Sequence, residues 1–288
     1  MTGAWINQIV QGILLGGLYA MFAMGLSLCT GVMRFINIAH GDLIVLVSFL
    51  ILTLTTSLGL SPLLAAIVTL PIAFGGGYLL QRLLFQRVLG KGVLPIILVT
   101  FGLSIIVQNG LQGVYGADTR KVFGGDIERA TIHVAGDINL GVLPLLIFLS
   151  AIVLVWMLDQ VLYRTRVGAR IRAVSDNVDT ANLVGLGSAH IYAIAMGLVG
   201  LTVAISAGFM SVWTNFDPTS GPSRLIVAFE AVVLGGLGSL WGTLAGGIIL
   251  GVAQTVGGQF DGAWQVLAGH LVFLAVFLIR PQGLFPRY

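Results

Sequence analysis

Glu230 stands in the run LIVAFEAVVLGG, with five uncharged residues before it and thirty after it. Ionisable groups at membrane depth are costly and usually functional, so such a carboxylate must face a partner, a cavity or water. Two readings are open: it lines a pathway, or it lies near the outer interface and reaches up to water. Arg224 is six residues earlier, about 240° around a helix, and so is not a same-face partner. A second polar patch, Arg34-Phe-Ile-Asn37-Ile-Ala-His40-Gly-Asp42, lies between two apolar runs. It is either a functional cluster at membrane depth or a short cytoplasmic turn in which Asp42 caps the next helix. One His and one Asp two residues apart are too few ligands for a metal.

The third patch is RTRVGARIRAVSDNVDTANLVGLGS, residues 164–188. Ile171, Val174, Val178 and Ala181 recur at three- and four-residue spacing, which gives one apolar helical stripe. Asp176 is placed to N-cap a short helix, with Asp179 in its first turn, and Gly185 and Gly187 end it. The segment is longer than a turn requires. It reads as a docking element for a cytoplasmic partner or, given its four arginines, as an interfacial helix lying on lipid. No GxxxxGK[ST], HExxH, GxSxG or CxxC occurs, so the chain has no phosphate-cradling loop of that type and none of those catalytic signatures. His133 and His270 lack local partners and read as ordinary loop and span residues; His190 falls at a span edge. Uphill transport would then need an ion gradient or a separate ATPase.

These patches must be held by apolar elements. Of 288 residues, 57% are hydrophobic and 9% charged, with mean hydropathy +1.01, against about 25% charged in soluble domains. That excludes a soluble enzyme, a disordered tail and a nucleic-acid-binding domain. The pI near 9.3 reflects a surplus of only +3 on a sparsely charged chain, without the basic-aromatic cluster that nucleic acid requires. Cys29 is the one cysteine, so no intrachain disulfide forms.

A crossing helix needs roughly 20 apolar residues. Candidate spans are 6–30, 41–58, 62–84, 93–115, 140–162, 190–213, 225–238, 241–257 and 263–280, with Gly59 and Ser61-Pro62 dividing the second from the third. The expected fold is an all-α polytopic membrane bundle of eight or nine segments with broken half-helices. The segment 225–238 is too short to cross unaided and ends at Gly235, Gly236 and Gly238, so it reads as a half-helix. Continuous apolar runs, rather than alternation, argue against a β-barrel. The N-terminal run lacks a basic n-region and exceeds a signal-peptide core, so it is expected to be the first span. Residues 1–288 read as a single domain. Gly238, Gly242 and Gly246, Gly247 and Gly251, and Gly12 and Gly16 repeat at four-residue spacing, which suits close helix packing. A faint echo between GVMRFINIAHGDLIVLVSFL and GPSRLIVAFEAVVLGGLGSL suggests a repeat.

Orientation follows the basic residues. Arg82, Arg87, Lys91, Arg164, Arg166, Arg170, Arg172, Arg280 and Arg287 are expected in the cytoplasm. The loop 116–137 is then outside, where Arg120, Lys121 and Arg129 are balanced by Asp118, Asp126, Glu128 and Asp137. The N-terminus is also outside, unless 31–45 forms a second half-helix pair.

From residue 8 to 286 the chain resembles the LivH-type permease of branched-chain amino acid ABC importers. The stretches that carry this are GILLGGLYAMFAMGLSL, INIAHGDL, VGARIRAVSDNVDTANLVGL, AVVLGGLGSLWGTLAGGIILG and RPQGLFP, in that order. The resemblance implies a bacterial inner-membrane subunit with a cytoplasmic C-terminus. It also implies a second related permease, two cytoplasmic ATPases that bind the ATP, a periplasmic substrate-binding protein, and no cofactor on this chain. It puts the coupling element at 164–187, with Arg170, Arg172, Asp176, Asp179, Ala181 and Gly185 as docking residues. Asn37, His40, Asp42, Glu230, Gly235 and Gly236 would line the substrate pathway. One departure stands out: the family pattern often has a Lys where Val227 stands and a small residue where Glu230 stands. A cation is lost and an anion gained on one helical face, so the solute is a branched-chain amino acid or a related small polar compound, such as urea or a short amide. The competing reading is a self-sufficient ion-coupled secondary carrier or channel, with Asp42 and Glu230 as coupling groups. An intramembrane enzyme would need a clustered nucleophile, base or metal set, and no spacing here supplies one.

Overall fold

The computed structural model describes residues 2–135 and 138–285. Twelve helices are described: α1 Thr2–Leu28, α2 His40–Ser57, α3 Pro62–Leu83, α4 Val93–Tyr115, α5 Asp126–Arg129, α6 Val142–Arg164, α7 Arg166–Asp176, α8 Val178–Leu183, α9 Ser188–Trp213, α10 Gly221–Gly235, α11 Leu240–Phe260 and α12 Trp264–Ile279. A short antiparallel hairpin joins β1 Thr131–Ala135 to β2 Ile138–Gly141. Seven helices are long and apolar enough to cross a membrane. α10 and α12 are shorter, with 15 and 16 residues. At 1.5 Å per residue they reach about 22–24 Å, less than the roughly 30 Å hydrocarbon core. The expected full span over 263–280 is therefore a short one. The expected division at 59–62 holds: Gly59 has φ +65°, and Ser61 caps α3 at Leu64 N ahead of Pro62.

α1 is the spine. It runs antiparallel to α11, and glycines set the spacing. A Cβ on Gly16 would lie 2.4 Å from Ile248 Cα, and one on Gly251 would lie 2.3 Å from Gly12 O. The packing role expected of the four-residue ladder is what the structure contains. Further along, Thr243 Oγ1 donates to Ser27 Oγ at 3.0 Å. Ser206 Oγ ties α9 to the same helix through Met21 O at 2.8 Å.

Helix alternation collects the connections 84–92 and 165–187, and the tail after α12, at one end of the bundle, with Arg34. The start of α1 and the segment 116–141 lie at the other end, so the N-terminus is opposite the basic clusters and 31–45 does not reverse the count. Arg287 and Asp137 lie outside the described residues. The 116–141 segment is folded rather than a bare loop. Arg120 and Phe216 exchange backbone hydrogen bonds of 2.8 and 3.0 Å, and Val122 N donates to Ser211 O. Lys121 pairs with Glu128 and holds its carboxyl below the usual range. His133 bonds Asn139 across the hairpin, a partner the sequence did not offer.

Candidate functional site

The polar patch 34–42 is buried and built around two breaks in regular helix. α1 ends in a π-helical turn, Cys29–Met33, and Arg34 follows with φ +56°. The chain then turns back. Asn37 Oδ1 accepts from Ala39 N at 3.1 Å, and His40 N donates to Asn37 O. This local turn starts α2 beside α1, and His40 Nε2 lies 2.8 Å from Phe22 O. Asn37, His40 and Asp42 are all essentially inaccessible. Asp42 does not cap α2; Ala39 holds that position and Asp42 sits in the first turn. Its Oδ1 accepts from Gln108 Nε2 of α4 at 3.0 Å. Of the turn reading, the cap on Asp42 therefore fails; 37–42 is largely buried within the chain, although Arg34 itself is exposed.

α10 starts against this turn. A Cβ on Gly41 would meet Gly221 O at 2.0 Å, and a Cβ on Gly221 would meet Asp42 Oδ1 at 1.9 Å. Only glycine at both positions allows the approach. About two and a half turns on, Glu230 is buried and pairs with His270 of α12, reached through Nδ1. The sequence reading of His270 as an ordinary span residue is corrected: it is the partner of the lone carboxylate. Arg224 is not that partner. Its guanidinium donates to Asn215 O at 3.2 Å and lies 5.9 Å from the Phe22 ring centroid. Tyr19 Oη donates to Gln254 Oε1 at 2.5 Å, which adds α1 and α11 to the same polar layer.

α10 ends at the glycine break. Gly236 and Gly238 have φ +99° and +79°. α11 then packs back so closely that a Cβ on Gly235 would lie 2.2 Å from Gly242 O. The exposed carbonyls of a broken helix need partners. The C-terminal tail provides them: Leu284 N donates to Leu234 O at 2.8 Å and Phe285 N to Gly235 O at 3.2 Å.

The one apolar stripe expected from Ile171 to Ala181 is carried by two helices, α7 and α8. Thr165 caps α7 at Gly168 N. Asn177, not Asp176, caps α8, accepting from Thr180 N at 2.9 Å. Asp176 is the last residue of α7, where it cannot serve the donors of α8. Asp179 does lie in the first turn of α8, and Gly185 follows with φ +85°. Ile171, Val174 and Ala181 are buried, whereas Val178 is exposed at the junction. Arg170, Asp176, Asp179 and Gly185 are exposed. Arg172 is turned inward, donating to Leu162 O and stacking over the Tyr163 ring at 4.8 Å. Two exposed apolar residues, Leu183 and Val184, are 88% and 71% accessible. Nothing in the local pattern marked them, because they sit where the stripe stops. Ser175 Oγ donates to Gly31 O in the π turn at 3.3 Å, and Gly31 Cα lies against Gly238.

The family described as branched-chain amino acid transport system / permease component matches residues 8–280. The chain is 27% identical to the high-affinity branched-chain amino acid transport system permease protein BraD of Pseudomonas aeruginosa, covering 98% of this chain and 96% of that one. It is 25% identical to LivH of Escherichia coli K12, a permease protein of the same description, with the same coverage. It is 28% identical to the autoinducer 2 import system permease protein LsrD of Yersinia enterocolitica, covering 73% of this chain and 66% of that one. With a buried polar turn, a tail-capped half-helix and a match over nearly its whole length, the chain belongs to the permease-component family of branched-chain amino acid transport systems, whose members are transport subunits and not enzymes.

Proposed function

We propose that the chain is the membrane-spanning subunit of an ATP-driven importer in a bacterial inner membrane, with its C-terminus cytoplasmic. It forms a translocation pathway for branched-chain amino acids or a related small polar solute. A second related permease completes the pore, two cytoplasmic ATPases bind and hydrolyse ATP, and a periplasmic binding protein delivers the solute. Residues 1–288 act as one permease domain, and 164–187 is its coupling segment.

The observation that carries this reading is the line of contacts from α7 to the glycine break, Ser175 to Gly31 to Gly238. A force on α7–α8 reaches the end of α10 through two contacts. The docking face consists of Arg170, Asp176, Asp179 and Gly185, with Leu183 and Val184 as its apolar tip. Arg172 and Ala181 position the helices from beneath. Asn37, His40 and Asp42 form the gate against Gly221, and ATP-driven movement at Gly235 and Gly236 separates α2 from α10. Glu230 is the charged group of the pathway, held by His270. Relatives named for branched-chain amino acids and for autoinducer 2 fit a scaffold whose solute is set by a few lining residues.

The test is ATP-driven uptake in liposomes holding the assembled transporter. Leu183→Asp with Val184→Asp should abolish uptake and ATPase capture while the chain still inserts and purifies normally. Full uptake by this variant would sink the coupling assignment. The Glu230–His270 pair favours one other reading, an ion-coupled carrier. That carrier would transport without ATPases and would stop when an uncoupler is added.

A further inference from the structure

A cavity of about 740 Å³ opens at the basic end of the bundle, between the α1–α2 turn, the 84–92 connection and the starts of α4 and α9. Its walls are largely apolar, with Met33, Phe35, Leu89, Val93, Ile96 and Leu237 among them. Arg34 is the one charged residue in the lining. It adopts a left-handed backbone conformation, φ +56°, which is uncommon for a residue with a side chain and is worth a functional question. Arg87 and Lys91, next in sequence to the lining residues Gln86, Gly90 and Gly92, are exposed, as is Arg82 at the end of α3. Among the described residues none of these four cations is in an ion pair.

Three features must be explained together: unpaired cations, an apolar wall and an apolar rim. Val93 and Leu237, both on the wall, remain 74% and 55% accessible. A small polar solute would use the cations but gain nothing from the rim. An acidic protein surface would use the cations but would not fill a cavity walled by Phe35 and Ile96. An amphiphile uses all three. Its anionic head meets Arg34 and the loop cations at the membrane surface, and a hydrocarbon chain lies along Phe35, Val93 and Ile96. Basic pockets between helices on the cytoplasmic side suit anionic lipid headgroups, at about 1 kcal/mol per Lys or Arg near the surface.

We infer that this cavity binds an anionic phospholipid, headgroup on Arg34, Arg87 and Lys91. The site lies on the α1–α2 turn and touches Leu237 of the glycine break, so its occupant braces the turn from which α2 starts.

The experiment is native mass spectrometry of the full chain in mild detergent, titrated with phosphatidylglycerol or phosphatidylcholine. Phosphatidylglycerol should be retained preferentially. Arg34→Gln should weaken its retention about fivefold, as expected from one lost cation, and Arg34→Lys should keep most of it. Val93→Trp, on the accessible wall, should displace lipid without altering charge. Equal retention of the two lipids overturns the proposal, as does unchanged retention in Arg34→Gln. Glycerol phosphate competing as well as the lipid would make it a small-anion site instead. If Arg34→Gln leaves lipid binding intact and only reduces capture of a partner protein, the patch is a docking face and the proposal fails. The readout is lipid mass on the isolated chain, so it stands or falls separately from the importer reading.

Discussion

Asp42 is held by packing as much as by hydrogen bonding. Its neighbour Gly221 has no room for a methyl group, since a Cβ there would come within 1.9 Å of Oδ1. Gly221→Ala should therefore cost on the order of 1–3 kcal/mol by overpacking and lower both thermal stability and uptake. Gly75→Ala is the control, with nothing within 4 Å of the added carbon, and thermal melting in detergent separates the two. Glu230→Gln keeps a side chain able to bond His270 but removes the charge. It should change uptake or flatten its dependence on pH between about 5 and 8. Identical uptake across that window would make Glu230 a structural group. Glu230 could be singled out from sequence because a lone carboxylate in an apolar run is conspicuous. His270 could not, being forty residues away on a helix whose packing against α10 has no local signature.

Helix breaks were legible at the elements that carry Gly and Pro together, and less so where side chains decide. Gly235-Gly236 ended α10 as its composition required. The junction between α7 and α8 was read one residue early because Asp and Asn at 176 and 177 are both good caps. Backbone geometry chose Asn177, whose φ and ψ of −151° and 108° are extended. The partner of the α10 end was not readable at all. Two tail amides at 284 and 285 reach a helix fifty residues back, and no periodicity links them. Truncation after Arg280 should therefore expose the carbonyls of Leu234 and Gly235, lower the melting temperature and reduce uptake. If the truncated chain melts and transports like the full one, the tail is dispensable.

The whole bundle follows from composition more directly than either site. Continuous apolar runs fixed the number of crossings to within the short α10 and α12, and charge asymmetry fixed which connections share an end. The proposed orientation predicts labelling. Cys29 is buried, so it contributes no accessible thiol. A single cysteine at Asp118 should react with an impermeant maleimide added outside intact cells. One at Leu183 should react only after the membrane is opened. The reverse pattern would invert the topology.

The tail contact also bears on how the molecule is made. Residues 284 and 285 follow the end of the half-helix by fifty positions, yet they complete its hydrogen bonding. Until that stretch has been made and has folded back, the carbonyls of Leu234 and Gly235 lack these partners. A later part of the chain thus finishes an earlier hinge, and the hinge takes its final form only after the two helices that follow it are in place.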